Sequence, residues 1–225
     1  AFIGIIRRVS KAFDGEVRPH INKAKKQRGV FEAFSKKVRD MCSDHDHYMR
    51  LINTRTPSKC LLGSNVELPS ILNDGKCHLV ISHPPYLNSF NYTPVYSLEF
   101  YWGVPFEAEY TGGQKNLHKQ ELTAHPASEK ITDSYFSHLE QCYRETYKIQ
   151  SPGGYLAIVI GDCTRKGELI PVLEKTIEIV KKIGYVPHEY NYRTTHYGLG
   201  KYAYRHRADY HGDADKKDGI LIFKR

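Results

Sequence analysis

The 225-residue chain is 40% hydrophobic and 26% charged, enough apolar material to close a core, which excludes disorder as its main state. No apolar run approaches the about 18 residues of a membrane span, and the opening Ala-Phe-Ile-Gly-Ile-Ile turns to charge without a leader's cleavage pattern, so a soluble, cytoplasmic protein is expected. The net charge of +8 sits in the first 60 residues, where 14 Lys and Arg face 6 Asp and Glu; the remainder balances 19 against 19.

A basic segment attached to a neutral body suits a protein that meets a phosphate backbone with one part and does chemistry with the other, because Lys and Arg displace condensed counterions. A solubilising helix face would carry the same charge. Cys42, Cys60, Cys77, Cys142 and Cys163 are odd in number, widely spaced and without a Cys-x-x-Cys pair, so reduced and mostly buried thiols are expected.

In chain order, Phe2, Ile5, Ile6, Val9 and Phe13 fall on one helical face before Gly15 and Pro19 break the run. A second helix fits Val30, Phe31, Phe34, Val38 and Met41, with Lys26, Lys36, Lys37 and Arg39 largely opposite. The linker between them holds the densest positive charge, and Arg18, Lys23, Lys25, Lys26 and Arg28 are its candidate DNA contacts. Residues 1–57 are expected to form this basic helical segment, and 58–225 a separate α/β body.

From residue 58 the pattern changes to short apolar runs between helices. Cys60–Gly63 and His78–Ser82 read as central strands, followed by a helix over about 132–147 with Tyr135, Phe136, Leu139, Cys142, Tyr143 and Tyr147 on one face, a strand Tyr155–Ile160 after Pro152-Gly153-Gly154, and a helix over about 168–183 stopped by Gly184. An alternating strand near Glu189–Arg193 and a final strand Gly219–Phe223 close the chain. Strand, helix, strand, helix predicts a mostly parallel sheet with helices on both faces. Between the last two strands, Tyr192–His211 interleaves five tyrosines with Arg193, Lys201, Arg205 and Arg207 and three histidines, a composition that suits base stacking and phosphate contact or, for part of the tyrosines, packing.

The most specific string is Val80-Ile81-Ser82-His83-Pro84-Pro85-Tyr86. Two prolines fix the backbone just beyond the carboxyl end of a core strand, where open α/β sheets place their ligands, and deprive the Pro84 carbonyl of a ladder partner. Tyr86 offers a flat face to a planar base drawn out of a duplex.

These residues, with Leu87 to Tyr92 after them, resemble the Asp/Asn/Ser-Pro-Pro-Tyr motif of the S-adenosylmethionine-dependent DNA amino-methyltransferases, the Ser-Pro-Pro-Tyr version of cytosine-N4 enzymes in particular. Flanking strings are similar as well: Cys60 to Pro69 to the strand beside the cofactor's adenine pocket, Pro152 to Asp162 to the next core strand, and Gly219 to Lys224 to the closing strand. The resemblance implies a Rossmann-like methyltransferase sheet with an antiparallel closing strand. It also implies double-stranded DNA as partner, S-adenosylmethionine as cofactor and methyl transfer to the exocyclic amine of a flipped base. His83, Pro84, Pro85 and Tyr86 take the catalytic positions, and Ser64, Asn65 and Ser82 are the candidate cofactor contacts, although alternation turns Ser82 to the face opposite His83. No metal is implied.

Two departures accompany the resemblance. His83 stands where the family has a side-chain oxygen, and no Phe-x-Gly-x-Gly loop is present to cradle the cofactor's methionine end. The expectation is that an upstream segment or a second subunit supplies that loop. Adenine-N6 or RNA methylation and a non-catalytic DNA-binding subunit of the same fold are the alternatives.

Overall fold

A computed structural model of the chain describes residues 1–13, 19–52, 57–61, 63–72, 76–88, 91–102, 128–166, 168–194 and 217–225. The chain divides into two compact units, one formed by Ala1–Cys60 with Asn91–Glu121 and the other by Leu61–Phe90 with Leu122–Arg225. The first unit therefore takes in a later stretch as well as the N-terminal residues.

In the first unit, α1 (Phe2–Val9) buries Ile5 and Ile6, and α2 (Val30–Leu51) runs beside it. The last turn of α1 leaves carbonyls without helical partners. Lys25 meets that need at Arg7, whose carbonyl accepts from its Nζ at 2.8 Å, and the same Nζ donates to the Ala12 carbonyl beyond the helix at 2.7 Å. Arg7 in turn pairs with Glu99 at 2.7 Å and donates to the carbonyl of Val95, the last residue of α4 (Tyr92–Val95). Phe2 meets Trp102 edge to face at 6.5 Å.

The second unit begins with a 3-10 turn, Asn65–Glu67, and a short α3 (Leu68–Ile71). It continues with β1 (Cys77–Ser82), α5 (Glu129–Ile149), β2 (Gln150–Gly161), β3 (Cys163–Arg165), β4 (Glu168–Ile170), α6 (Val172–Ile183), β5 (Val186–Thr194) and β6 (Lys217–Lys224). Strands β3 and β4 form a separate two-stranded ribbon. The main sheet has the order β1-β2-β6-β5, with β1 and β2 parallel and β6 running antiparallel between β2 and β5. The expected reversed closing strand is thus present, inserted between two strands that run the other way.

One face of this sheet carries the core. Leu156, Ile158 and Ile160 of β2 and Leu221 and Phe223 of β6 pack beneath Tyr135, Leu139 and Tyr143 of α5 and Val172, Leu173 and Val180 of α6. The apolar residues of the two helices recur at three- and four-residue intervals, which places them in one stripe. Pro171, ahead of α6, supplies no side-chain cap; Asp162 Oδ1 accepts from Leu173 N at 3.0 Å instead.

Three expectations need correction. Helices α5 and α6 both lie on the same face, so among the described residues the sheet is helix-covered on one side; on the other side Leu79 and Ile81 are 57% and 73% exposed. Cys60 and Leu61 are not in a strand, since β1's outer edge offers no described ladder and a lone extended segment leaves its amides unpaired. The helix expected from 168 starts at 172, because Glu168–Ile170 pairs with β3 first.

All five cysteines are thiols: Cys142 and Cys163 are buried, Cys77 is half-buried, and Cys42 and Cys60 are exposed. Among the described residues no helix is long and apolar enough to cross a membrane.

The end of β2 nearest α5 contains a polar pair inside the core. Tyr185 Oη donates to Gln150 Oε1 at 2.7 Å, and the Gln150 amide nitrogen has no partner among the described groups. Tyr185→Phe would leave the whole amide unpaired and is expected to cost about 1–3 kcal/mol, with Gln150→Leu in the same chain recovering part of the loss. Urea unfolding of the two variants checks this; an unchanged midpoint for Tyr185→Phe would contradict it. Burial raises the Tyr185 and Tyr143 hydroxyls well above the ordinary tyrosine range. The unfolded chain therefore loses these protons first, so their contribution is complete below about pH 10 and falls as the pH rises further. Tyr143→Phe should flatten that alkaline decline in a stability-versus-pH series.

Candidate functional site

Strand alternation decides what β1 presents. Val80 packs against the core and Ser82 turns to the same side, where its Oγ lies 3.3 Å from the buried Tyr143 Oη of α5. His83, the next residue, is exposed at the strand's carboxyl end. The chain then passes through Pro84 and Pro85, whose fixed φ angles and missing amide protons prevent β1 from continuing.

The loop is held from four directions. Tyr135 Oη, from the fully buried face of α5, donates to the Pro85 carbonyl at 2.8 Å. Leu87 is 1% exposed and anchors the loop in the core. Asn88 adopts a left-handed conformation, φ 57°, and its Nδ2 donates to the Thr164 carbonyl of β3 at 2.7 Å. Asparagine tolerates that backbone region better than most residues. Tyr86 lies over Gly161 at the end of β2, where an added Cβ would stand 2.9 Å from Tyr86 Cε2 and overlap the Asp218 carboxylate.

With the Pro85 carbonyl engaged, no described group donates to the Pro84 carbonyl. His83 and Tyr86 meet edge to face, ring centres 5.4 Å apart at 76°. The structure thus gathers one half-buried aromatic face, one backbone acceptor and one imidazole at a single loop beyond a parallel strand pair. That set can stack a planar group and accept hydrogen bonds from its edge.

The candidate cofactor contacts lie elsewhere. Ser64 and Asn65 are exposed at the start of the 3-10 turn, and the Asn65 side chain hydrogen-bonds Cys142, whose thiol burial raises more than Asn65 lowers it. Ser82 is turned to Tyr143. Asn65 and Ser82 thus engage successive residues of α5. The positive-φ glycines, Gly63, Gly153 and Gly184, are not part of a glycine-rich strand-to-helix turn. Among the described residues no glycine-rich strand-to-helix turn is present.

Of the candidate DNA contacts, Lys23, Lys26 and Arg28 are exposed, whereas Lys25 holds α1 and is half-buried. Arg193 belongs to β5 with its backbone opposite Asp218; its side chain, like Arg18, Lys201, Arg205 and Arg207 altogether, lies outside the described residues. Sequence reasoning placed Tyr135 on the core face without its bond to Pro85, and it missed Asn88, Gly161 and Asp162. The Gly161-Asp162 pair directly after an apolar strand was the available signal.

Tyr135→Phe is expected to lower stability by about 1 kcal/mol and to free the loop. Hydrogen exchange at the Tyr86, Leu87 and Asn88 amides should rise clearly above that of β2; loop exchange no faster than in the parent chain would contradict the clamp.

No family model matches the chain, and no curated protein matches its sequence. Solved structures of a candidate DNA modification methylase from Thermus thermophilus are similar to it. Its selenomethionine form gives a TM-score of 0.40 with 18% identity over 72% of this chain and 50% of that one. Its complex with S-adenosyl-L-methionine gives 0.42 with 16% identity over 73% and 51%. The chain spans about half the length of these solved structures.

Proposed function

We infer that the second unit is the base-binding side of a DNA amino-methyltransferase, with cytosine N4 as the target that the Pro-Pro-Tyr string favours. The observation that carries this reading is the clamped His83-Pro84-Pro85-Tyr86 loop at the carboxyl end of β1, with its Pro84 carbonyl open and Tyr86 beside it. An exocyclic amine nitrogen is conjugated with its ring and must be approached out of plane, so the base has to leave the stack. In this reading Tyr86 stacks the extruded base, the Pro84 carbonyl accepts from its amine, and His83 borders the same edge.

Double-stranded DNA is the partner, with Lys23, Lys26 and Arg28 as phosphate contacts of the first unit. S-adenosylmethionine is the methyl source implied by the motif, and its cradle has to come from outside the described residues. The roles assigned here belong to the base side alone. A second reading, a DNA-binding subunit that keeps the fold without the chemistry, is favoured by His83 in place of an oxygen acceptor.

The experiment is methyl transfer from labelled S-adenosylmethionine to unmethylated DNA by the protein as isolated from its natural host, followed by nucleoside analysis. N4-methylcytosine supports the reading, N6-methyladenine moves the target, and a label confined to RNA or absent from all nucleosides contradicts it. His83→Ser is expected to raise the rate with DNA affinity nearly unchanged, because a hydroxyl accepts from the amine and leaves more room for the base; a lower rate would make the imidazole itself the acceptor. A chain that extrudes its target should also bind duplexes with a mismatched target base more tightly, since unpairing is then less costly. Tyr86→Ala should remove about 1–3 kcal/mol of that binding. Equal affinity of the parent chain for matched and mismatched duplexes would contradict extrusion.

A further inference from the structure

The 22-residue α2 has no buried residue. Its apolar and aromatic side chains are nevertheless ordered: Phe31, Phe34, Val38, Met41, His45, Tyr48 and Ile52 alternate three- and four-residue steps, the spacing of a coiled-coil seam. Phe31 is 88% exposed and Tyr48 59%. Neighbouring α1 lies to one side of the stripe, where Ala33, Lys37 and Asp40 are half-buried; a Cβ on Gly4 would touch Lys37 Cε at 3.4 Å, so Lys37 stands at the border between α1 and the stripe. The stripe is most open at its ends, while Phe34, Val38 and Met41 at its middle keep 40%, 36% and 46% of their surface. A row of large apolar groups in water marks an association surface.

Charge selects the occupant. Residues 30–39 carry Lys36, Lys37 and Arg39 against Glu32, whereas residues 40–51 carry Asp40, Asp44 and Asp46 against Arg50. The helix is therefore positive in its first half and negative in its second, and it complements a copy of itself laid antiparallel. One register satisfies the whole seam. Phe31 of one helix meets Tyr48 of the second copy, Phe34 meets His45, and Val38 meets Met41, each layer formed twice about a twofold axis. The same register sets Lys37 beside Asp44 of the second copy, the only charged residues at positions flanking the seam on that side, and the pair also recurs by symmetry. In a parallel pair Lys37 would face Cys42 and Asp44 would face Met49, and neither ion pair would form.

We propose that α2 is a homodimerisation helix that pairs antiparallel with α2 of a second copy of this chain through the Phe31-to-Tyr48 stripe, with Lys37 and Asp44 setting the direction. The mixed signs on the flanks argue for a protein partner of this pattern over a nucleic acid, which would meet the three acidic residues of the second half.

The test is a charge exchange on the full chain, read by sedimentation. The parent chain is expected to dimerise. Lys37→Asp alone sets Asp against Asp at both flanking contacts, and Asp44→Lys alone sets Lys against Lys, so each should weaken the dimer by roughly tenfold. An equimolar mixture of the two variants restores both pairs and should yield a heterodimer as stable as the parent. Circular dichroism checks that the surface changes leave the fold intact. Val38→Lys should give monomers. A parent chain that stays monomeric, a dimer indifferent to both charge variants, or a mixture that fails to restore pairing would each overturn the proposal, as would a parent chain that remains monomeric and uses this stripe to bind DNA.

Discussion

The hydrogen bond from Tyr135 Oη to the Pro85 carbonyl is the contact on which the site depends. Two successive prolines remove the amide protons that would tie this stretch to the sheet, so the loop after β1 has to be held by other groups. Tyr135 does so from the buried face of α5, and the length of its ring sets how far the loop stands from the helix. With Leu87 sunk in the core and Asn88 bonded to β3, the backbone between Ser82 and Asn88 has little freedom left. The Pro84 carbonyl and the Tyr86 ring are therefore presented in fixed directions, the condition for binding a base without an ordering cost at each encounter.

The second constraint is the close approach at Gly161. The end of β2 must admit both the Tyr86 ring and the Asp218 carboxylate, and any side chain at 161 would displace one of them. The neighbouring Asp162 serves β6 and α6 together, accepting from Lys217 N and Leu173 N. The carboxyl ends of β1 and β2 are thus built as one piece with the start of α6, which couples the core of this unit to the geometry of its loop.

What the sequence disclosed, and what it hid, follows from the range of the interactions. The strand at His78–Ser82, the final strand and the helices facing the core were legible because periodicity and proline are local signals, whereas the reversed direction of that final strand was implied only by the family resemblance. The three-residue strands β3 and β4 are too short to show a period, and β4 was read as the start of a helix. Cys60 to Gly63 looked like a core strand by composition, yet a strand exists only with a neighbour to bond, and none is described beside it. Lys25 was read with the other basic residues of its linker, whereas it holds the Arg7 carbonyl at the end of α1 and the Ala12 carbonyl beyond it, a pairing across sequence that charge counting does not see. The same limit hid Tyr135, whose helical position revealed its burial and not the carbonyl at its tip.

Under the proposed function, Tyr86 faces an extruded base. Photo-cross-linking tests it most directly: a duplex carrying a 5-iodopyrimidine at a mismatched position is irradiated with the chain, and the adduct is mapped by mass spectrometry. Attachment is expected at Tyr86, lost in Tyr86→Ala while attachment elsewhere persists. Adducts confined to the basic linker around Lys23, Lys26 and Arg28, with none at Tyr86, would contradict it.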